Sequence, residues 1–476
     1  MSVLLTTRSE ITLDAFRRVA WEGESVRIAP QAQALMDRRA ESFEALVRAR
    51  VDADPGALIY GVTTAPGDGA AIALDAERLA RRPARLWTAV SYGDPLPERV
   101  VRGILLARLA NMLDGHAGAR ASVALAVAAM LDADTPLPVV PAQGNGGAGE
   151  ILALGCLFHD LSGRLDLTAK ERMALINGSP CAAALVADLA LALERRIALA
   201  ERVFALSSDA YGAPDDHFSA DLDALWDDEH ESAALRELRE LRAGSPGQRQ
   251  RHQAPVSYRI MPRVLGAARR ARSIAEHAAR TSLRSVSDNP VFVPPDAARP
   301  LGTVLSTGGF HNAQAPAAMD TAASALADLC QLAERHTDQL FQGPGTAPLL
   351  SSDEWSVKPL HHAQNWWAEE ARALASSTVL SLAGFGQNDV PAMSFLAYRK
   401  AMAVGRCLDA ALAALAALAA QALYVAGRGA GPRLDALVSQ VRVHFPPVTG
   451  EVRRLGLDCE ALSAAFSAQA LGEAAG

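Results

Sequence analysis

Pro141-Ala-Gln-Gly-Asn-Gly-Gly-Ala-Gly-Glu150 precedes an apolar helical run, Ile151-Leu-Ala-Leu-Gly-Cys-Leu-Phe158. The glycines between Gly144 and Gly149 make an unusually deformable backbone, and nothing else in the chain is so locally odd. Read literally, Gly144-x-Gly146-x-x-Gly149 fits a dinucleotide fingerprint, with amide N–H groups at a helix N-terminus facing an anion. That reading needs a preceding strand. Ala121 to Leu131 reads as helix instead, and Pro136, Pro138 and Pro141 leave little room for a strand. A tight structural turn is the alternative, and the flanking chain has to arbitrate.

Working outward, both flanks are helical. After Glu98 the apolar positions Val101, Ile104, Leu105, Leu109, Met112 and Leu113 form a helical stripe. Downstream, Leu167-Thr-Ala-Lys-Glu171 has the threonine-to-glutamate spacing of a capping box, and its helix meets the turn Asn177-Gly-Ser-Pro180. Further helices are predicted over 182–206, 262–283, 313–340, 361–382 and 393–426. The N-terminal part predicts a helix start at Thr12, an extended piece at Val26-Arg-Ile28 and a helix from Gln31 to Arg50. No βαβ alternation appears, so the fold class is mainly all-α, a bundle of long packed helices. The expected division is 1–100, an α-rich domain carrying a Tyr60 loop, and 101–476, the helical bundle.

The totals exclude several functions. The 476 residues are half apolar, enough for a large core, and the net charge of -7 comes without a basic stripe, so no nucleic-acid partner is expected. The apolar run from Ala410 to Ala420 is too short and alanine-rich to span a bilayer, which argues against a membrane partner. The start lacks the pattern of a secretory signal, so the expected location is cytoplasmic. Five separated cysteines without a CxxC pair argue against disulfides and zinc. His361-His362 diverge by about 100° on a helix, and with no HExxH no metal site is expected. The acidic and arginine-rich stretch 207–255 reads as a solvated face or an interface arm.

Ile59-Tyr-Gly-Val-Thr-Thr-Ala-Pro-Gly-Asp-Gly69 reads as a mobile loop carrying one ionisable phenol, or simply a packed tyrosine. Several pieces, in order, resemble the aromatic amino acid ammonia-lyase family, the histidine, phenylalanine and tyrosine ammonia-lyases and their aminomutase relatives. Tyr60-Gly-Val-Thr-Thr-Ala-Pro-Gly67 resembles the family's YGxNTGFG loop, and Ala110 to Arg120 its ANSLxxGxSGxR junction. Asn177-Gly-Ser-Pro180 resembles NGTQ and Pro255-Val-Ser-Tyr-Arg259 resembles PYSLR. Val286 to Pro290, Gly309-Phe-His311 and Leu332 to Arg335 resemble SDNP, NFH and LSER. The collinear set spans about residues 10 to 395 and implies the family's long-helix bundle.

At the opening stretch the resemblance breaks. Active members carry GSVGASGDLAPL, whose Ala-Ser-Gly cyclises and dehydrates to an electrophilic methylidene-imidazolone. Here the register reads Ala148-Gly149-Glu150. A methylidene comes from a serine side chain, so no such group, and no other cofactor, is expected.

The rest of the family frame is matched. It implies that Tyr60 takes a proton, Arg259 pairs with a substrate carboxylate, Asn177 holds the amine and carboxylate region, and Phe310 and Tyr92 contact the ring. Tyr258 adds a phenol near the place of a family tyrosine that Val256 replaces. Gln387-Asn-Asp389 lies where the histidine enzymes have Gln-Glu-Asp, so Asn388 cannot pair with imidazole, and histidine deamination is not expected. Glu150 is either an acid–base group in the vacated space or a cap on the following helix.

The resulting expectation is a lyase independent of the prosthetic group, acting on a small carboxylate-bearing substrate with a good leaving group. One family relative that lacks the group expels trimethylamine from a betaine. An isomerase, cyclase or dehydratase on the same scaffold is an alternative, as is a non-catalytic ligand-binding or structural homologue. The resemblance also implies a homotetramer with active sites shared between chains.

Overall fold

The computed structural model describes residues 2–75, 77–78, 85–249, 253–381, 384, 386–450 and 453–468. The chain divides into two units. Unit 1 comprises Met1–Asp188, Ala275–Ala318 and Thr378–Arg399; unit 2 comprises Leu189–Ile274, Met319–Ser377 and Lys400–Gly476. Each unit is assembled from distant pieces of sequence, so the division does not follow the expected boundary at residue 100.

Unit 1 opens with strand β1 (Ser2–Leu5), paired in parallel with β2 (Ser25–Ile28), the extended piece expected at Val26. Of the longer helices in chain order, α1 is Pro30–Ala53, α2 Glu98–Leu113, α3 Ala121–Ala129, α4 Ile151–Arg164 and α5 Ala169–Ile176. Then α6 (Pro180–Tyr211), α8 (Met261–Arg284), α9 (Gln314–Gln342) and α11 (Ser394–Val425) contribute residues to both units. The short antiparallel pair β3 (Val291–Val293) and β4 (Thr303–Leu305) completes the regular structure of unit 1.

Helix α2 is buried from Val100 to Leu113, so its polar residues need internal partners. Arg102 finds three, the carbonyls of Val19, Glu24 and Leu131. The predicted capping box is present at α5: Thr168 Oγ1 accepts from Glu171 N at 3.2 Å, and Glu171 Oε2 accepts from Thr168 N at 2.9 Å.

Unit 2 adds α7 (Glu229–Arg242), α10 (Leu360–Leu374), α12 (Asp435–His444) and α13 (Leu455–Ala468). Helix α10 stops short of the predicted 382, where Ser376, Ser377 and Thr378 offer the backbone competing hydrogen bonds. The charged stretch 207–255 is not merely a solvated face. Asp209 is buried and accepts from Arg249 at 2.7 Å, and Asp228 caps α7 through the N–H groups of His230 and Glu231. Asp223 pairs with Arg239 at 2.8 Å. Gln421, which ends the alanine run of α11, is buried and exchanges two hydrogen bonds with the backbone of Val448.

Candidate active site

The glycine-rich stretch reverses direction immediately before α4. Gly149 has φ 63° and Glu150 φ 59°, two consecutive left-handed residues. Glycine accepts that conformation freely, but a glutamate rarely does, so something must hold it. The holding contact is its carboxylate. Oε2 accepts from Cys181 N at 2.7 Å and Oε1 from Ala182 N at 2.8 Å, the first two N–H groups of α6 after Pro180, which has none. Glu150 is therefore a cap, but on α6, while α4, the helix that follows it, has no side-chain cap. Proline in the first position and an anion at the second and third N–H groups form a complete N-terminus. Burial pushes the carboxyl up to about 7, against the opposing pull of the two N–H groups, the Cys181 thiol and Arg108.

The Asn177 turn, between α5 and α6, is braced from three directions. Arg108, fully buried on α2, donates from Nη1 to the Asn177 carbonyl, Ser287 Oγ accepts from Ser179 N at 3.0 Å, and Glu150 holds the residues beyond. Asn111 joins the same frame by accepting from Ser287 N at 2.9 Å. Beside it lies a buried ion pair, Lys170 Nζ to Asp288 at 2.7 Å, in which desolvation lowers the lysine's affinity for its proton and Asp288 opposes that shift. The Asn177 side chain is buried, yet its Oδ1 has no partner. A β-carbon built on Gly149 would lie 3.2 Å from that oxygen and 3.4 Å from the Phe310 ring. The vacant serine position thus faces both of these residues.

Gly149, Asn177 and Phe310 line a cavity of about 120 Å³ together with Tyr60, Gly67, Trp87, Thr88 and Asn388. The aliphatic groups of Ile151, Met173 and Ile176 also face it. All of its lining residues belong to unit 1, and among the described residues none is an Asp, Glu, Lys, Arg or His. The loop that bears Tyr60 is tied internally: Thr63 Oγ1 accepts from Ile59 N and donates to the Ala57 carbonyl. Gly61, at φ 67°, leaves room where a side chain would strike Met173. The Tyr60 hydroxyl oxygen accepts from Gly67 N at 3.0 Å, which leaves its own hydrogen free to donate. That N–H is directed at the atom that carries negative charge once the phenol has lost its proton. Asp68 accepts from Gln387 N at 3.0 Å, joining this loop to the segment of Asn388.

The structure therefore brings together Tyr60, Asn177, Phe310 and Asn388. Other expected residues stand elsewhere. Tyr92 is 81% exposed, and its backbone, rather than its ring, packs against Gly144. Gln387 is exposed and meets the Tyr60 loop through its main chain. Glu150 spends both oxygens on α6 and is absent from the cavity wall, which corrects its reading as an acid–base group. Tyr258 and Arg259 belong to unit 2. Tyr258 is fully buried between the rings of Tyr211 and His336, at centroid distances of 4.5 and 4.0 Å, and burial raises its phenol above the ordinary value. It is a core residue, which corrects its reading as a substrate contact. Arg259 is half-buried and donates from Nε to the Ala254 carbonyl.

Trp87 and Thr88 escape the sequence reading, and Asn289, marked only as part of the SDNP-like segment, also lines the cavity. Trp87 is 71% exposed at its place on the cavity rim, and Thr88 has a buried, unpartnered hydroxyl. The available signal is an indole standing before a loop of small and polar residues, Thr88-Ala-Val-Ser-Tyr92, close to the tyrosine chosen instead.

The helical scaffold thus sets a braced glycine loop beside a loop-borne tyrosine at one cavity. A family model described as aromatic amino acid lyase matches residues 11–168 and 164–443. The chain is 31% identical to the histidine ammonia-lyase of Symbiobacterium thermophilum, covering 96% of this chain and 95% of that protein. Its fold is similar to that of tyrosine aminomutase from Streptomyces globisporus, with a TM-score of 0.86 and 24% identity over 98% of this chain and 97% of that one. Ergothionase from Treponema denticola, an ergothioneine-degrading enzyme, is similar in fold at a TM-score of 0.84 and 18% identity, covering 98% of each chain. This chain belongs to the aromatic amino acid lyase family.

Proposed function

We propose that the chain is a lyase that works without the methylidene-imidazolone of its family, eliminating a good leaving group from a small carboxylate-bearing substrate. The observation that carries this reading is Ala148-Gly149-Glu150 in the register of the triad. Gly149 has no β-carbon to become a methylidene, and Glu150 is anchored to α6. The residues present do not fit the group, and no step of the proposed reaction passes through it.

In that reaction Tyr60 accepts a proton from a substrate carbon, the C–H electron pair forms a C=C bond, and the leaving group departs with the electrons of its own bond. The Gly67 N–H donates to the Tyr60 oxygen and so stabilises the phenolate form that accepts the proton. Asn177 offers its unpartnered oxygen to a substrate N–H or O–H, and Phe310 packs against the hydrocarbon part. Arg259 is assigned the carboxylate by its match to the family motif, for which a guanidinium fork is suited. The absence of charge from the described cavity wall favours a leaving group that needs no strong acid to depart. A homotetramer with shared sites is part of the proposal, and a monomer in light scattering would count against it.

The test is a thermal-shift screen of carboxylate-bearing metabolites, in which a ligand raises the apparent stability of the native protein and not of the Arg259→Ala variant. Hits are then incubated with the enzyme and followed for alkene formation. No stabilising carboxylate, or equal stabilisation of the variant, would overturn the assignment of Arg259.

A further inference from the structure

We propose that Glu150 is a lock on the glycine loop: by capping α6 from outside the helix it holds Ala148-Gly149-Glu150 as open chain, a block on cyclisation distinct from the missing serine. This goes beyond the reading above, which needs only the absent β-carbon, and rests on it. Closure of such a ring requires the backbone nitrogen of residue 150 to bond to the carbonyl carbon of residue 148, whose oxygen leaves as water. A second water comes from the β-hydroxyl and α-hydrogen of a serine at 149. The first of these steps uses backbone atoms alone, so a glycine at 149 does not forbid it.

Residue 150 opposes it. Its nitrogen belongs to a residue that is 3% exposed, and both carboxylate oxygens are fixed to Cys181 N and Ala182 N. Moving that nitrogen toward residue 148 pulls the carboxylate away and leaves two buried N–H groups without acceptors. Pro180 has no N–H of its own, so Cys181 N and Ala182 N are the first donors of the helix, and both would lose the acceptor that the structure gives them. The left-handed backbone of Glu150 is the strain that this tether maintains. A glycine at 150, by contrast, carries no tether and accepts the same φ freely.

The experiment is intact-mass measurement on folded, purified protein, with folding checked by circular dichroism. Gly149→Ser, which restores the serine alone, is expected to keep its sequence mass, as is Gly149→Ser/Glu150→Gln, where the amide oxygen retains part of the cap. Gly149→Ser/Glu150→Gly is expected to lose two waters. Loss of two waters from Gly149→Ser alone, or of one water from the unaltered protein, overturns the lock. So does a folded Gly149→Ser/Glu150→Gly at its sequence mass. Loss of two waters from the unaltered protein instead overturns the reading that no prosthetic group forms. Should the double variant fail to fold, hydrogen exchange on Glu150→Gly decides. The Cys181 and Ala182 amides should exchange about tenfold faster or more, and unchanged rates overturn the cap.

Discussion

Tyr60 and Tyr258 are both phenols in motifs of the family frame, and the fold treats them oppositely. Tyr60 faces a cavity, accepts one hydrogen bond from Gly67 N and keeps its hydrogen to donate. Tyr258 is sealed in unit 2 between two rings, its hydroxyl 3.3 Å from Ser207 Oγ. Asn177 and Glu150 make the same contrast within unit 1. The Asn177 oxygen is buried and unpartnered, whereas each Glu150 oxygen accepts a backbone N–H group. A polar group available for chemistry is one whose hydrogen-bonding capacity the fold has left open, and residue type alone does not reveal that.

The hardest test of the contrast is Tyr60→Phe. If the phenol transfers the proton, its removal should lower turnover by about a hundredfold to ten-thousandfold with the melting temperature nearly unchanged. Full activity would end the mechanism. Next in size is Asn177→Ala: loss of a hydrogen bond to substrate should lower kcat/KM by about ten- to a hundredfold, since such bonds contribute about 1–3 kcal/mol when the site is closed to water.

Much of this was legible in the sequence. The capping box at Thr168 and Glu171, the extended Val26 piece and the long helices all follow from local pattern, because capping and apolar spacing act within a few residues. The family motifs also marked Tyr60, Asn177, Phe310 and Asn388, which meet in one cavity although they come from distant parts of the chain. What could not be read was long-range partnership. Glu150 caps a helix that begins 30 residues later, after two other helices have intervened, and the local rule pointed to α4 instead. Tyr258 looked like a spare phenol because its stacking partner His336 lies far along the chain. Trp87 borders the cavity through a loop with no periodicity to reveal it.

Glu150 provides the next prediction, in stability rather than rate. Its folded-state carboxyl sits at about 7, above the ordinary 4.5, so the folded protein holds this proton more tightly than the unfolded chain does. Its contribution to stability is fully present below 4.5 and is lost as pH rises through about 7. Glu150→Gln removes that dependence. The stability of the unaltered protein relative to the variant should therefore fall between those pH values, by at most about 1.4 kcal/mol per pH unit, and level off above. Urea titrations across about pH 4 to 8 measure the difference. A difference that grows with pH would mean that the ionised carboxylate is the favoured folded form and that the N–H groups outweigh desolvation.

The smallest effect belongs to Tyr258→Phe. The substitution keeps the ring stacked between Tyr211 and His336 and deletes a hydroxyl whose observed contact is the long one to Ser207 Oγ. A neutral hydrogen bond contributes about 1 kcal/mol net, and one at this distance less, so the melting temperature should shift by only a degree or two. Turnover and KM should be unchanged, because no substrate reaches a side chain that is fully buried. A rise in KM without loss of stability would mean that the hydroxyl meets the substrate after all. Only movement of the Tyr211–Tyr258–His336 stack in the liganded enzyme could then account for it, and that would erase the distinction between the two phenols.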